Sequence, residues 1–336
     1  MRKVIGFILV GAAVAAMSVT AMAGERTYKI GFSQSYNGNS YRQTEEKLMD
    51  EAVEDLKAQG YDIEYTVSEA NQDANAQIQH IQDFVLQGYD LIIVDPASAS
   101  SLNDAIQEAC DAGIPVFDIN DGPITMDHEN LYHFVFNNVD MMYSLTDYVC
   151  NEMGGSGKLI ELRGTAGVAV ENEFHEGVLK ALENYPDVEV VAEIYTDWTA
   201  SKAQTELNNT LPVMDQVDGL VTQGGDAYAA VQAFLSAGYD ELPVIGGDNR
   251  GSFINWWAHE APEGYKTLSV ASNPWIGAMS LYVAVDLLNG EEVKNSIEVP
   301  FGQVDAEHLA DYADVFGDDD VAYTAYTWDE VKEYEK

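Results

Sequence analysis

Positive charge is scarce in this sequence. Lysine and arginine number 16 against 57 aspartates and glutamates, a formal net charge of -41. A surface this negative repels phosphate backbones and anionic headgroups, which excludes nucleic acid and acidic membrane as partners. The acidity does not signal disorder, because the apolar fraction of 46% is that of an ordinary globular protein. Cysteine is nearly absent, with only Cys110 and Cys150. Both fall on stretches of helical apolar periodicity separated by a predicted strand. They are therefore read as buried free thiols, with pairing as the alternative for an exported protein. No apolar run is long enough to span a bilayer comfortably. The longest, residues 4–16, follows Arg2 and Lys3 and precedes Ala21-Met22-Ala23, a small-residue cleavage pattern. Residues 1–23 are expected to be a signal peptide cleaved near Ala23, and the absence of a nearby cysteine argues against a lipid anchor. The mature chain is expected outside the cytoplasm.

Catalytic signatures are missing as well. The sequence has no phosphate-binding G-x-x-x-x-G-K-[ST], no G-x-G-x-x-G and no G-x-S-x-G elbow. Its six histidines are scattered, without H-E-x-x-H spacing. No catalytic residue, cofactor or metal is expected. Asp118, Asp121 and Asp248 could supply a carboxylate pair for glycoside cleavage, but carboxylates are too abundant for that to select an enzyme.

Strand-helix alternation fills what remains. Residues 28–32 alternate as a strand and break into Ser33-Gln34-Ser35-Tyr36-Asn37-Gly38-Asn39, a turn-forming run. Ser40 is a plausible cap for a helix over 41–58. Strands are expected at 62–67, 89–94 and 115–120, separated by helices at 74–86 and after 98. The run YDLIIV is continuously apolar, as a parallel strand covered on both faces requires. A weaker strand at 133–136 and a helix at 139–153 lead to a glycine-rich turn at 154–157, where a simple domain cut would fall. The alternation then resumes, with strands at 158–162, 188–195, 219–223, 243–246, 267–271 and 297–299. Helices are expected within 168–185 and at 200–214, 227–237 and 275–288. Repeated units of this kind imply parallel sheets with right-handed crossovers.

Ligands of open α/β sheets bind beyond the carboxyl ends of the strands. Arg42, Arg163 and Arg250 all fall just past predicted strand ends, as do Asp95, Asn120, Asp121, Gln223, Asp248, Asn249 and Asn273. Trp198, Trp256, Trp257 and Trp275 join them in sequence. Hydroxyls need paired donors and acceptors, and sugar C–H faces pack on rings, so this mixture suits a polyhydroxylated ligand. The arginines have an alternative role in pairing with the acidic surface.

Over nearly its whole mature length the chain resembles the type I periplasmic sugar-binding proteins of ABC importers, the ribose- and galactose-binding group. The likeness is carried by IGFSQSYNGNSYR, QIQHIQDFVLQGYDLIIVDP, AGIPVFDIND, KLIELRGTAG, GLVTQGGD, VIGGDN and VASNPWIGA. It implies an α/β fold of two similar doubly wound parallel-sheet lobes joined by a three-crossing hinge. The lobes would be 24–137 plus 274–302 and 138–273 plus 303–336. By the same resemblance Ser33, Asn37, Asn39 and Tyr41 occupy the sugar-contacting loop, and Arg42 resembles an arginine that some hexose binders keep. Asn120 and Asp121 stand where the family often has an Asp-Arg pair, and Phe174 where an arginine is common. Trp198 matches a stacking aromatic, Gln223 a ligand-contacting amide, Asp248 a hydroxyl-accepting Asp, and Ser272 or Asn273 a hinge amide.

The resemblance implies a non-enzymatic, monomeric receptor that captures a monosaccharide or related polyol by lobe closure and delivers it to an ABC permease. Its rival is a receptor that presents a sugar or autoinducer to a membrane sensor. A sugar-responsive repressor is excluded by the leader, the acidity and the lack of a basic helix-turn-helix.

Overall fold

The computed structural model describes residues 27–119 and 124–336. The expected leader, Arg26, Asn120 and Asp121 lie outside the described residues. The chain divides into two compact units. One holds residues up to Phe136, Pro274–Val299 and Ala325–Lys336; the other holds Asn137–Asn273 and Pro300–Thr324.

The first unit opens with β1 (Thr27–Gln34), α1 (Ser40–Ala58), β2 (Asp62–Glu69), α2 (Ala74–Leu86), β3 (Leu91–Val94), α3 (Asn103–Asp111), β4 (Val116–Ile119) and β5 (Leu131–Val135). The second follows with α4 (Asn138–Glu152), β6 (Ser156–Arg163), α5 (Ala169–Leu182), β7 (Asp187–Tyr195), α6 (Ala200–Thr210), β8 (Gly219–Thr222), α7 (Ala227–Ser236), β9 (Val244–Ile245), α8 (Gly251–His259) and β10 (Ser269–Ala271). The chain returns to the first unit for α9 (Ile276–Leu288) and β11 (Ser296–Glu298), to the second for β12 (Gly302–Val304) and α10 (Leu309–Tyr312), and ends in the first with α11 (Trp328–Glu335).

In the first unit six strands pair in the order β11-β5-β4-β3-β1-β2, all parallel. Every residue of β3 is buried, as its unbroken apolar sequence demands. Asn39, not Ser40, caps α1, because its side-chain oxygen accepts the Arg42 N–H. Leu48, Met49, Ala52, Val53 and Leu56 form the helix's buried stripe. Gly31 lies so close to the Phe84 ring that a Cβ there would come within 2.7 Å of it, so α2 packs directly on the β1 backbone.

In the second unit β7-β6-β8-β9 form a parallel sheet, and β10 pairs antiparallel with β12. The glycine run at 154–157 joins α4 to the first residues of β6 inside this unit and marks no domain cut.

Two further expectations change. Trp256 and Trp257 are not strand-tip aromatics: they lie on α8 and are buried, with Trp256 packed on Phe253 and Tyr265. The carboxyl tail does not stay wholly with the second unit. Residues 325–336 return to the first because α11 docks on α9: Trp328 Nε1 donates to Asp286 at 2.6 Å, its ring meets Tyr282 and Tyr61, and Val331 is fully buried. The chain thus passes between units at 136/137, 273/274, 299/300 and 324/325.

Candidate functional site

Each unit has its own polar edge at the carboxyl ends of its strands. In the first unit this edge is built on Asp95, the residue after β3, which is completely buried. Asp95 accepts the Ser35 hydroxyl at 2.6 Å and pairs with the Arg42 guanidinium at 3.0 Å. Arg42 also pairs with Glu45, one turn along α1, at 3.3 Å. Gln77 on α2 fixes the same corner. Its amide nitrogen donates to the carbonyls of Ser33 (3.1 Å) and Asp95 (2.7 Å), and its oxygen accepts the Ala97 N–H.

Ser33 itself is fully buried and turned to α2, where its hydroxyl meets His80 Nδ1 at 3.2 Å. Burial lowers the pKa of His80. Asn37 donates to Glu46 at 2.6 Å. Burial, then repulsion from Asp50 and Glu69, raises the Glu46 pKa against that hydrogen bond. Tyr41 is half-buried, with the Arg42 guanidinium 5.5 Å from its ring centre. Of the loop residues nominated from sequence, the structure gathers Arg42 with Ser35 and Asp95, spends Asn39 on the helix cap, and draws Ser33 inward.

The second unit's edge runs along β7, β6, β8 and β9. Asp248, just past β9, is buried, and its two oxygens accept the backbone N–H groups of Ala227 (3.0 Å) and Arg250 (3.2 Å). A carboxylate has about four lone-pair sites, so acceptor capacity remains. Asp248 borders a cavity of about 180 Å³ whose other polar lining includes Ser201, Gln204, Asp226, Gln232 and Arg250. Asp226 is buried and accepts the hydroxyls of Thr196 (2.6 Å) and Thr222. Burial pushes its carboxyl up to about 7, although the two hydroxyls favour the ionised form.

Trp198 is half-buried in a left-handed backbone conformation (φ 54°), with its ring against Gly164, where any Cβ would collide with it. Gln223 is committed to the protein: its oxygen accepts the Gly164 N–H at 2.8 Å, and its nitrogen faces Glu171 and Glu161. Asn273 is fully buried and donates to the Thr324 carbonyl, while Ser272 is half-buried.

Arg163 also serves the fold. Its Nε reaches Glu171 at 2.6 Å, another nitrogen reaches Glu193 at 2.5 Å, and its guanidinium covers the Tyr195 ring at 4.9 Å. Phe174 and Trp275 are core residues, the latter stacked on Tyr282. Among the described residues one group has metal-ligating types close together, Glu161, His175 and Glu193. Its members are already paired, His175 with Glu161 at 2.9 Å and Glu193 with Arg163.

Sequence reasoning noted Asp95 as a strand-tip residue but missed its ion pair, and it missed Ser35 and Asp226 as structural members of these edges. The S-x-x-x-x-x-x-R spacing from Ser35 to Arg42 carries no pattern that would have joined them through Asp95.

Residues 30–292 match the family model described as a periplasmic binding protein domain, and the chain belongs to that family. A xylitol-binding protein of Mycolicibacterium smegmatis is 28% identical over 252 residues, covering 71% of this chain and 68% of that protein. The ribose import binding protein RbsB of Escherichia coli is 25% identical over 261 residues, 74% and 81% of the two chains. The fold is similar to the crystal structure of an ABC transporter solute binding protein from Thermobispora bispora, with a TM-score of 0.77 and 28% identity over 91% of this chain and 94% of that one. A solute binding protein from Bacillus halodurans with bound myo-inositol shares the fold at a TM-score of 0.72 and 22% identity, over 85% and 96% of the chains.

Proposed function

We propose that this protein is an extracytoplasmic solute receptor. It captures a monosaccharide or related polyol, without catalysis and as a monomer, and delivers it to an ABC permease. Residues 1–23 are proposed to direct its export. Membership of the periplasmic binding protein family and the sugar and polyol names of its relatives support this reading.

The observation that carries it is Asp248. Two backbone N–H groups fix this buried carboxylate in place, and it faces a polar cavity with acceptor capacity to spare. A fixed acceptor suits a hydroxyl donor, and a site built around such a bond rejects ligands that lack the hydroxyl. Trp198 supplies a flat apolar face on the same strand-end edge.

Isothermal titration against xylitol, D-ribose, D-galactose and myo-inositol tests the reading. Wild type is expected to bind at least one of them, and Asp248→Asn to weaken that binding at least about a hundredfold with an unchanged far-ultraviolet spectrum, as expected for a hydrogen bond to a charged group. Unchanged affinity in the variant would remove Asp248 from the site.

A further inference from the structure

We infer that Gln34 hydrogen-bonds the captured sugar or polyol and helps select it, an inference that rests on the receptor reading above. Gln34 is the last residue of β1, and its side chain is fully buried. Among the described residues neither its amide oxygen nor its amide nitrogen has a hydrogen-bond partner. Its neighbours differ in this respect: Ser33 meets His80, and Ser35 meets Asp95. A buried amide left unpaired is costly in a free fold, whereas an apolar residue of the same length would pack there at no such cost.

Strand geometry gives the direction. Successive side chains of β1 alternate, so Gln34 shares a face with Ile30 and Phe32, opposite Gly31 and Ser33, which meet α2. Ile30 is in register with Tyr65 of β2, whose hydroxyl reaches Met49 on α1. Gln34 is therefore on the face covered by α1, at the end of the sheet where that helix begins. Open α/β sheets bind ligands at this end. An amide offers two N–H donors and an oxygen with two lone pairs, so it can both donate to and accept from sugar hydroxyls.

The test is isothermal titration of wild type and Gln34→Met with the tightest binder among xylitol, D-ribose, D-galactose and myo-inositol, and with its commercially available monodeoxy analogues. The variant is expected to lose at least tenfold in affinity, with the melting temperature of the free protein unchanged or raised. Wild type should discriminate against one deoxy analogue, and the variant should lose that discrimination. If Gln34→Met does not fold, Gln34→Leu, which removes both donors and the acceptor without adding a charge, should show the same loss of discrimination.

Unchanged affinity, or a loss equal for the parent ligand and every analogue, would overturn the inference and leave Gln34 as a structural amide. Wild type that binds no member of the panel would instead count against the receptor reading itself.

Discussion

The Arg42 guanidinium lies between two carboxylates that are both fully buried, Asp95 at 3.0 Å and Glu45 at 3.3 Å. Removing the cation would leave two uncompensated charges in the interior. Arg42→Met is therefore expected to cost about 3–5 kcal/mol in urea denaturation. A loss below about 1 kcal/mol, the worth of an exposed pair, would show that the pair is solvated.

Glu335 presents the opposite case, a buried carboxylate with no hydrogen-bond partner among the described residues. Burial, and secondarily the charge of Asp286, pushes its carboxyl up to about 7. The folded state therefore holds this proton more tightly than the unfolded chain does, and the associated stability is lost as pH rises through about 7. Glu335→Gln should raise the melting temperature relative to wild type at pH 8 and leave it nearly unchanged at pH 5. Equal shifts at both values would exclude the titration. The position of Arg42 past a strand end was legible in the sequence. Its partner Asp95 comes from a different strand-helix unit, and no local pattern links the two.

At the scale of elements, the first turn of α1 depends on Asn39, whose side chain accepts the Arg42 N–H at 2.9 Å. Asn39→Ala should destabilise the protein by about 1 kcal/mol in the same denaturation assay. Ser40→Ala should cost less, because Ser40 is not the cap. Adjacent cap-forming residues, Asn39 and Ser40, are what made this boundary ambiguous in sequence. The strands of the parallel sheets were plain, since runs such as LIIV have no other comfortable home. Three helices, α8, α10 and α11, were not. α8 starts immediately after the Asp248 strand tip, and its tryptophans imitate the aromatics of a sugar site. α11 carries a legible signal, the capping box of Thr327 and Glu330. Its docking on α9 depends on Trp328 finding Asp286, which only the folded chain brings together.

At the scale of the molecule, Cys110 and Cys150 are both free and buried. Burial pushes their thiols up to about 12 and about 11, so neither offers a reactive thiolate near neutral pH. The two-unit organisation was legible because two runs of strand-helix alternation occupy one chain. The return of residues 325–336 to the first unit was not, because it follows from packing over long sequence distance. The net charge of -41 keeps the surface soluble and repels acidic partners without identifying a ligand.

Ligand identity is decided by which hydroxyls find partners, and the test of the receptor reading is a thermal-shift screen across pentoses, hexoses, polyols and sugar acids. A true ligand at a hundred times its dissociation constant stabilises the fold by about 2.7 kcal/mol, which moves the melting temperature by several degrees. A shift of that size is predicted for at least one neutral sugar or polyol, and it should be lost in Asp248→Asn. A flat response across the whole panel from correctly folded protein would contradict the assignment of this chain as a sugar or polyol receptor.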